Sequence, residues 1–265
     1  MSAFRFSAST VLYGRQPLDK ACTELAAVGL HQIDLWHVEN WCEHLADGVP
    51  TVRKTLRRHG LQLDTLSVFN WPHARLRALL DQMAELNGRA LITASAKSDV
   101  TVPHFLQQID SVIRHAESLG VTLAIENHGA TVIDSIESML TLIDLEPSPA
   151  LGIALAPIHL FNRSESTADA VYLLGKRVAI CYAWDWGARG LANWKDPARQ
   201  FIGTGNIDHR PIFEALHATG YAHPVQLFAH GPENWPPART TAHLRRALAV
   251  AQRLTDTSNS CTESA

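Results

Sequence analysis

Leu123-Ala-Ile-Glu-Asn-His-Gly129 is a short apolar run that ends abruptly on a carboxylate and an imidazole. Leu151-Gly-Ile-Ala-Leu-Ala-Pro-Ile-His159 repeats the design, an apolar run closed by proline and histidine, with alanine where a second carboxylate would be expected. Runs this short, bounded by turn signals, read as buried parallel strands rather than helices. Polar groups at their C-terminal ends are where parallel α/β folds place chemistry.

Working outward, the same short runs recur along the chain. Predicted strands are Phe4–Leu12, Gln32–Trp36, Gln62–Phe69, Ala90–Ala94, Thr122–Glu126, Ala150–Leu155, Arg177–Trp184 and Pro224–Ala229. Amphipathic stretches separate them: Pro17–Val28, Thr51–His59, Pro72–Leu86, Pro103–Leu119, Ser135–Leu145, Ser164–Leu174 and Pro211–Thr219, with a last helix over Ala238–Leu254. Several open on proline, whose missing N–H costs nothing in a first turn. Several close on glycine (Gly29, Gly60, Gly120, Gly220), the residue best suited to a left-handed helix end. Eight strand–helix alternations without a break in composition predict α/β architecture, a single (β/α)8 TIM barrel over residues 1–254. The small polar segment 255–265 is predicted to be a disordered tail. An open doubly wound sheet is the competing fold, but no G-x-G-x-x-G follows the first strand.

Composition narrows the function classes. The chain has 265 residues, 46% of them hydrophobic, and a net charge of −3. That is enough for one large core and the wrong sign for nucleic acid or an anionic membrane. The four cysteines, Cys22, Cys42, Cys181 and Cys261, show no C-x-x-C pairing and read as free thiols of a reducing cytoplasm. No secretory leader or membrane-length apolar run is seen. The expected partner is a small-molecule substrate, with no nucleic acid and no membrane; a homo-oligomer is compatible with the sequence.

All seven tryptophans fall at the C-terminal ends of predicted strands or in the segments that follow: Trp36, Trp41, Trp71, Trp184, Trp186, Trp194 and Trp235. His37, His44, His73, His128, His159 and His230 fall there as well. This predicts an aromatic, imidazole-ringed mouth at the C-terminal barrel end, although bulky loops also need aromatic packing.

From about Val11 to Leu254 the chain resembles the xylose isomerase-like barrel family of sugar-phosphate isomerases, epimerases and related enzymes. The likeness rests on Ile33-Asp-Leu-Trp36, Ala124-Ile-Glu-Asn-His128, Leu151-Gly-Ile with Pro157-Ile-His159, Asp185, Gly203-Thr-Gly-Asn-Ile-Asp208 and Gly220-Tyr221, in that order. The resemblance implies a divalent metal held by Glu, Asp, His and Glu at four strand ends. Here only Glu126 remains; Ala156, Tyr182 and Phe228 stand at the other three positions. Strand alternation points Glu126, Ala156 and Phe228 into the mouth, so the losses fall at the site itself.

The resulting expectation is an isomerase-, epimerase- or lyase-like enzyme that moves a proton beside a carbonyl without a cofactor. Glu126, His159 and Asp185 are its candidate catalytic residues. Trp36, His37, His128, Tyr182, Trp184, Phe228 and His230 are its candidate substrate-binding residues. Replacing acids by Phe, Tyr and Ala suits a flat, unsaturated substrate of a specialised pathway better than a free sugar. Two alternatives remain: metal-dependent sugar chemistry through substituted ligands among Glu126, His159, Asp185 and His230, or a non-catalytic binding subunit. Each candidate also has a structural reading, Asp185 as a loop anchor among them.

Overall fold

The computed structural model describes residues 4–70, 72–189 and 196–256. Trp71, Trp194 and the segment from 257 onward, where most of the predicted tail falls, lie outside the described residues. Eight parallel strands close into a barrel: β1 (Phe6–Ser9), β2 (Gln32–Val38), β4 (Gln62–Ser67), β5 (Ala90–Ala94), β6 (Thr122–Glu126), β7 (Leu151–Leu155), β8 (Val178–Ala183) and β9 (Val225–Leu227). Closure is direct, because β1 pairs with both β2 and β9. A short strand, β3 (Cys42–Glu43), adds antiparallel to the end of β2.

The helices are α1 (Leu18–Val28), α2 (Val49–Arg58), α3 (His73–Glu85), α4 (Val102–Leu119), α5 (Ile136–Leu145), α6 (Pro157–Arg163), α7 (Thr167–Leu174), α8 (Arg210–Ala218) and α9 (Pro237–Thr255). Gly29, Gly60, Gly120 and Gly220 all take positive φ, as their place after a helix predicts. Two departures from the sequence reading bear on the strand ends. The predicted first strand stops at Ser9, whose hydroxyl accepts the Val11 N–H and starts a 3-10 turn over Thr10–Tyr13. Pro157 opens an unpredicted helix, α6, because its fixed φ and missing N–H suit a first turn.

Side-chain alternation splits the apolar residues into two clusters. One lies between barrel wall and helices and includes Leu35, Leu66, Leu123, Ile125, Ile153 and Leu155. The other fills the barrel and its mouth, with small residues (Ala90, Ala124, Ala154, Ala156) facing bulky ones (Trp36, Tyr182, Trp184, Phe228). Below the mouth lies a polar layer. Asp34 is buried there and accepts hydroxyls from Ser9 (2.7 Å), Thr65 (2.8 Å) and Ser67 (2.8 Å). Desolvation still pushes its carboxyl up to about 6. No helix among the described residues is long and apolar enough to cross a membrane.

Candidate active site at the barrel mouth

Glu126 is the last residue of β6 and points inward, in register with Ala94 of β5 and Ala154 of β7. Both neighbours are alanine, so short side chains flank the carboxyl. It is 4% exposed, and burial pushes its pKa up to about 8. Among the described residues its one hydrogen-bond partner is the Tyr182 hydroxyl, which donates to Oε2 at 2.8 Å. That bond favours the carboxylate, but desolvation outweighs it. Tyr182 therefore occupies the mouth as a donor to Glu126, and its own pKa rises, first by burial and then by the nearby carboxyl.

Asn127 locks the strand ends. Its Oδ1 accepts the Ala156 N–H at 2.7 Å and its Nδ2 donates to the Ala156 carbonyl at 3.2 Å. This clamp fixes where β7 turns into α6 and so where His159 stands. His159 is on the first turn of α6 rather than at a strand end. Its ring lies 4.2 Å from that of His128 and edge-on to Trp184 at 5.8 Å.

Gly129 sits between the two imidazoles. His128 Nδ1 is 2.7 Å from the Gly129 carbonyl, which can only accept, so Nδ1 carries the proton and Nε2 of the neutral ring is a lone pair. The Gly129 N–H donates to His159 Nδ1 at 3.3 Å, which leaves the proton of neutral His159 on Nε2. That Nε2 is buried and finds no partner among the described residues. Burial holds the His159 pKa well below the usual histidine value, with the charges of His128 and His230 adding to it.

The walls are aromatic. Phe228 points into the mouth, with ring centroids 4.7 Å from Trp184, 5.2 Å from Tyr182 and 5.7 Å from Trp36. His230 packs against Trp41 and Trp184, each at 5.1 Å, and burial pushes it down to about 3. Trp36 carries a buried Nε1–H with no partner among the described residues. Trp235 does not join this group; it stacks on Phe201 and meets His243 edge-on.

Three expected residues need separate description. His37 alternates with Trp36 and Val38, which face the barrel interior, and stands opposite Glu43 of β3, so its side chain lies on the other face of β2. Asp185 is 1% exposed and accepts four backbone N–H groups. Trp186 (2.8 Å) and Ile207 (3.0 Å) bond Oδ1; Gly203 (3.0 Å) and Gly205 (2.8 Å) bond Oδ2. Its carboxylate is the hub of the 203–207 loop, and a Cβ at Gly205 would collide with it. His230 stands beside Phe228 rather than at Glu126. The sequence reading missed Asn127, although it lies inside the quoted motif, and Gln200, whose Oε1 accepts Trp184 Nε1–H (3.0 Å) and the His230 N–H (2.9 Å). Gln200 has no motif to mark it.

Ala156, Tyr182 and Phe228 offer no ligand equivalent to Asp, His or Glu, so the four-ligand site does not fit a metal. A different group comes together instead: ligand atoms of Glu126, His128 and His159 lie within 4.8 Å of one another. Two imidazoles and a carboxylate suit zinc or ferrous iron. A ligating histidine ordinarily donates its other N–H to a carbonyl or carboxylate. His128 does so; His159 has a donor at that position and does not fit through Nε2 as it stands.

The structure is similar to that of a protein described as IOLI with a bound zinc atom (TM-score 0.77, 15% identity, 96% of this chain and 99% of that one). It is also similar to a D-psicose 3-epimerase (TM-score 0.75, 15% identity, 95% and 99%) and to AsbF of Bacillus anthracis, described as a probable 3-DHS dehydratase involved in petrobactin synthesis (TM-score 0.74, 14% identity, 92% and 98%). No curated protein matches the sequence. The family model for the xylose isomerase-like TIM barrel matches residues 22–251, and with the closed eight-stranded barrel this places the chain in that family.

Proposed function

We propose that the protein is an enzyme that moves a proton at a carbon activated by a neighbouring carbonyl, in an isomerisation, epimerisation, cyclisation or elimination, without a metal. The observation that carries this is the buried Glu126 carboxyl, raised to about 8 and held by Tyr182 beside His128 and His159. A group in that range can take a proton as carboxylate or return it as acid near neutral pH. His128 Nε2 offers a second lone pair for the returning or departing proton. His159 Nε2–H and Trp36 Nε1–H, both buried without partners among the described residues, are donors suited to the oxygens of a carbonyl or developing enolate. Trp36, Trp184 and Phe228 favour a flat, unsaturated substrate, of the kind specialised pathways handle, over a free sugar. Asp185 holds the loop that frames the mouth and takes no part in proton transfer.

The setting we infer is the cytoplasm, with a small-molecule substrate and neither nucleic acid nor membrane as partner. The net charge of −3 and the buried free thiols Cys22, Cys42 and Cys181 support it.

The gathering of Glu126, His128 and His159 supports a second reading, a relocated metal centre, if His159 reverses its tautomer. Proton exchange in D2O, followed by NMR over a panel of ketoses, 2-oxo acids and cyclic enones, tests both. The first reading expects washout of an α-proton that survives chelator and is lost in Glu126→Gln. Washout abolished by chelator and restored by zinc would establish the second and overturn the first.

A further inference from the structure

The N-terminal end of the barrel, opposite the mouth, contains a cleft of about 620 Å³. Small-molecule pockets span about 300–1,000 Å³. Its lining carries four arginines, Arg5, Arg53, Arg57 and Arg89, against one acid, Asp64, with four leucines and a few neutral polar side chains for the rest of its wall. The chain as a whole is negative, so this concave face reverses the sign of the molecule.

The four guanidinium groups are not equivalent. Arg89 is committed to structure: it bonds both Asp64 oxygens at 3.1 Å and the Ala179 carbonyl at 3.0 Å, tying β4, β5 and β8 together. Arg53 pairs with Glu85 at 2.9 Å. Among the described residues Arg5 has only neutral acceptors, Gln32 Oε1 at 3.3 Å and the Ala222 carbonyl at 2.7 Å. The guanidinium of Arg57, on the exposed last turn of α2, makes no ion pair or hydrogen bond among the described residues. Two positive charges therefore face one cleft in which the one lining acid, Asp64, is already committed to Arg89, and neither pairs with an anion among the described residues. His223 in the same lining is pushed down to about 4, first by burial and then by the charge of Arg89, with Asp64 opposing and Arg5 adding a smaller push.

We propose that this cleft is a binding site, separate from the one at the mouth, for a small metabolite bearing a phosphate or carboxylate group held by Arg5 and Arg57. Guanidinium matches both oxyanions in a bidentate fashion, and the leucine wall suits a compact organic body. Asp64 and Glu85 at its edge and the net negative charge disfavour a polymer such as nucleic acid.

Calorimetric titration at constant ionic strength, with inorganic phosphate, pyrophosphate and citrate as probes, tests the assignment on the full chain. The expected result is saturable binding of at least one probe, weakened about tenfold or more in Arg5→Gln and in Arg57→Gln and unchanged in Arg246→Gln. Binding of phosphate or pyrophosphate would name phosphate as the group read; binding of citrate alone would name carboxylate. Both replaced side chains are exposed and leave the Arg89–Asp64 bridge intact, so melting temperature should hold. Absence of saturable binding by every probe, or binding indifferent to both variants, would overturn the proposal. Neither outcome bears on Glu126.

Discussion

The rings of His128 and His159 lie 4.2 Å apart and read opposite ends of one residue: His128 donates to the Gly129 carbonyl, and His159 accepts the Gly129 N–H. In their neutral forms the two imidazoles therefore present unlike nitrogens to the mouth, a lone pair on one and a proton on the other. A pair so arranged can take a proton at one point and stabilise negative charge at another.

Replacing His159 by Phe keeps the edge-on contact with Trp184 and removes the Nε2–H donor. Loss of one oxyanion donor typically costs about 10²–10³ in kcat. We expect a loss of that size in kcat/KM, mostly in kcat, with little change in melting temperature. Unchanged kinetics would remove His159 from the chemistry.

The pH profile follows from Glu126. If its carboxylate is the base, only about a tenth is ionised at pH 7 with a pKa of about 8. kcat/KM should rise about tenfold per pH unit below that value and level above it. Stability runs the other way. The folded pKa is raised, so between the unfolded and folded values the native state holds the extra proton, and stability falls as pH rises through that window. Glu126→Gln removes this dependence: its melting temperature should gain on the wild type between pH 5 and pH 9.

Tyr182→Phe isolates one hydrogen bond. The ring contacts with Phe228 and Trp184 survive, while the donor to Glu126 Oε2 disappears. That donor favours the carboxylate, so its loss should move the alkaline rise of kcat/KM to higher pH by about one unit. It should cost about 1–2 kcal/mol in stability, since it leaves a buried polar group unpaired. A shift to lower pH would contradict the assigned direction of the bond.

The barrel was legible because periodicity, proline and glycine signals all agree: β5 and β6 match their predicted limits, and the inward turn of Phe228 follows from alternation alone. Alternation also shows why His37 does not reach Glu126, being one residue from inward-facing Trp36. What escaped was set by tertiary hydrogen bonds. The place of His159 depends on Asn127 clamping the Ala156 peptide, and the place of Trp184 on Gln200, 16 positions later. Neither bond leaves a periodic trace. Pro157 could have marked α6, but it follows the strand so closely that it reads as a strand stop.

Metal loading separates the two readings of the Glu126 group. We expect protein purified without chelator to keep its melting temperature when EDTA is added, and zinc to leave it unchanged. A ligand binding only the native state at about 100 times its Kd would add about 2.7 kcal/mol. A zinc-dependent rise abolished by His128→Ala would establish the relocated metal centre instead.

Asp185 was a candidate base, and its geometry makes the opposite prediction. Four backbone N–H groups fill both oxygens, so no lone pair is directed at the mouth without releasing the 203–207 loop. Asp185→Asn keeps the shape but turns one acceptor oxygen into an N–H donor facing two backbone N–H groups. Each buried N–H left unpaired costs about 1–3 kcal/mol, and the penalty should appear as a lower melting temperature and faster amide exchange at Gly203, Gly205 and Ile207. The loop frames the aromatic wall through Trp186, so kcat/KM should fall as well, but the position of the pH profile should stay with Glu126. A profile that loses its alkaline rise in Asp185→Asn, with the loop amides still protected, would return Asp185 to the chemistry.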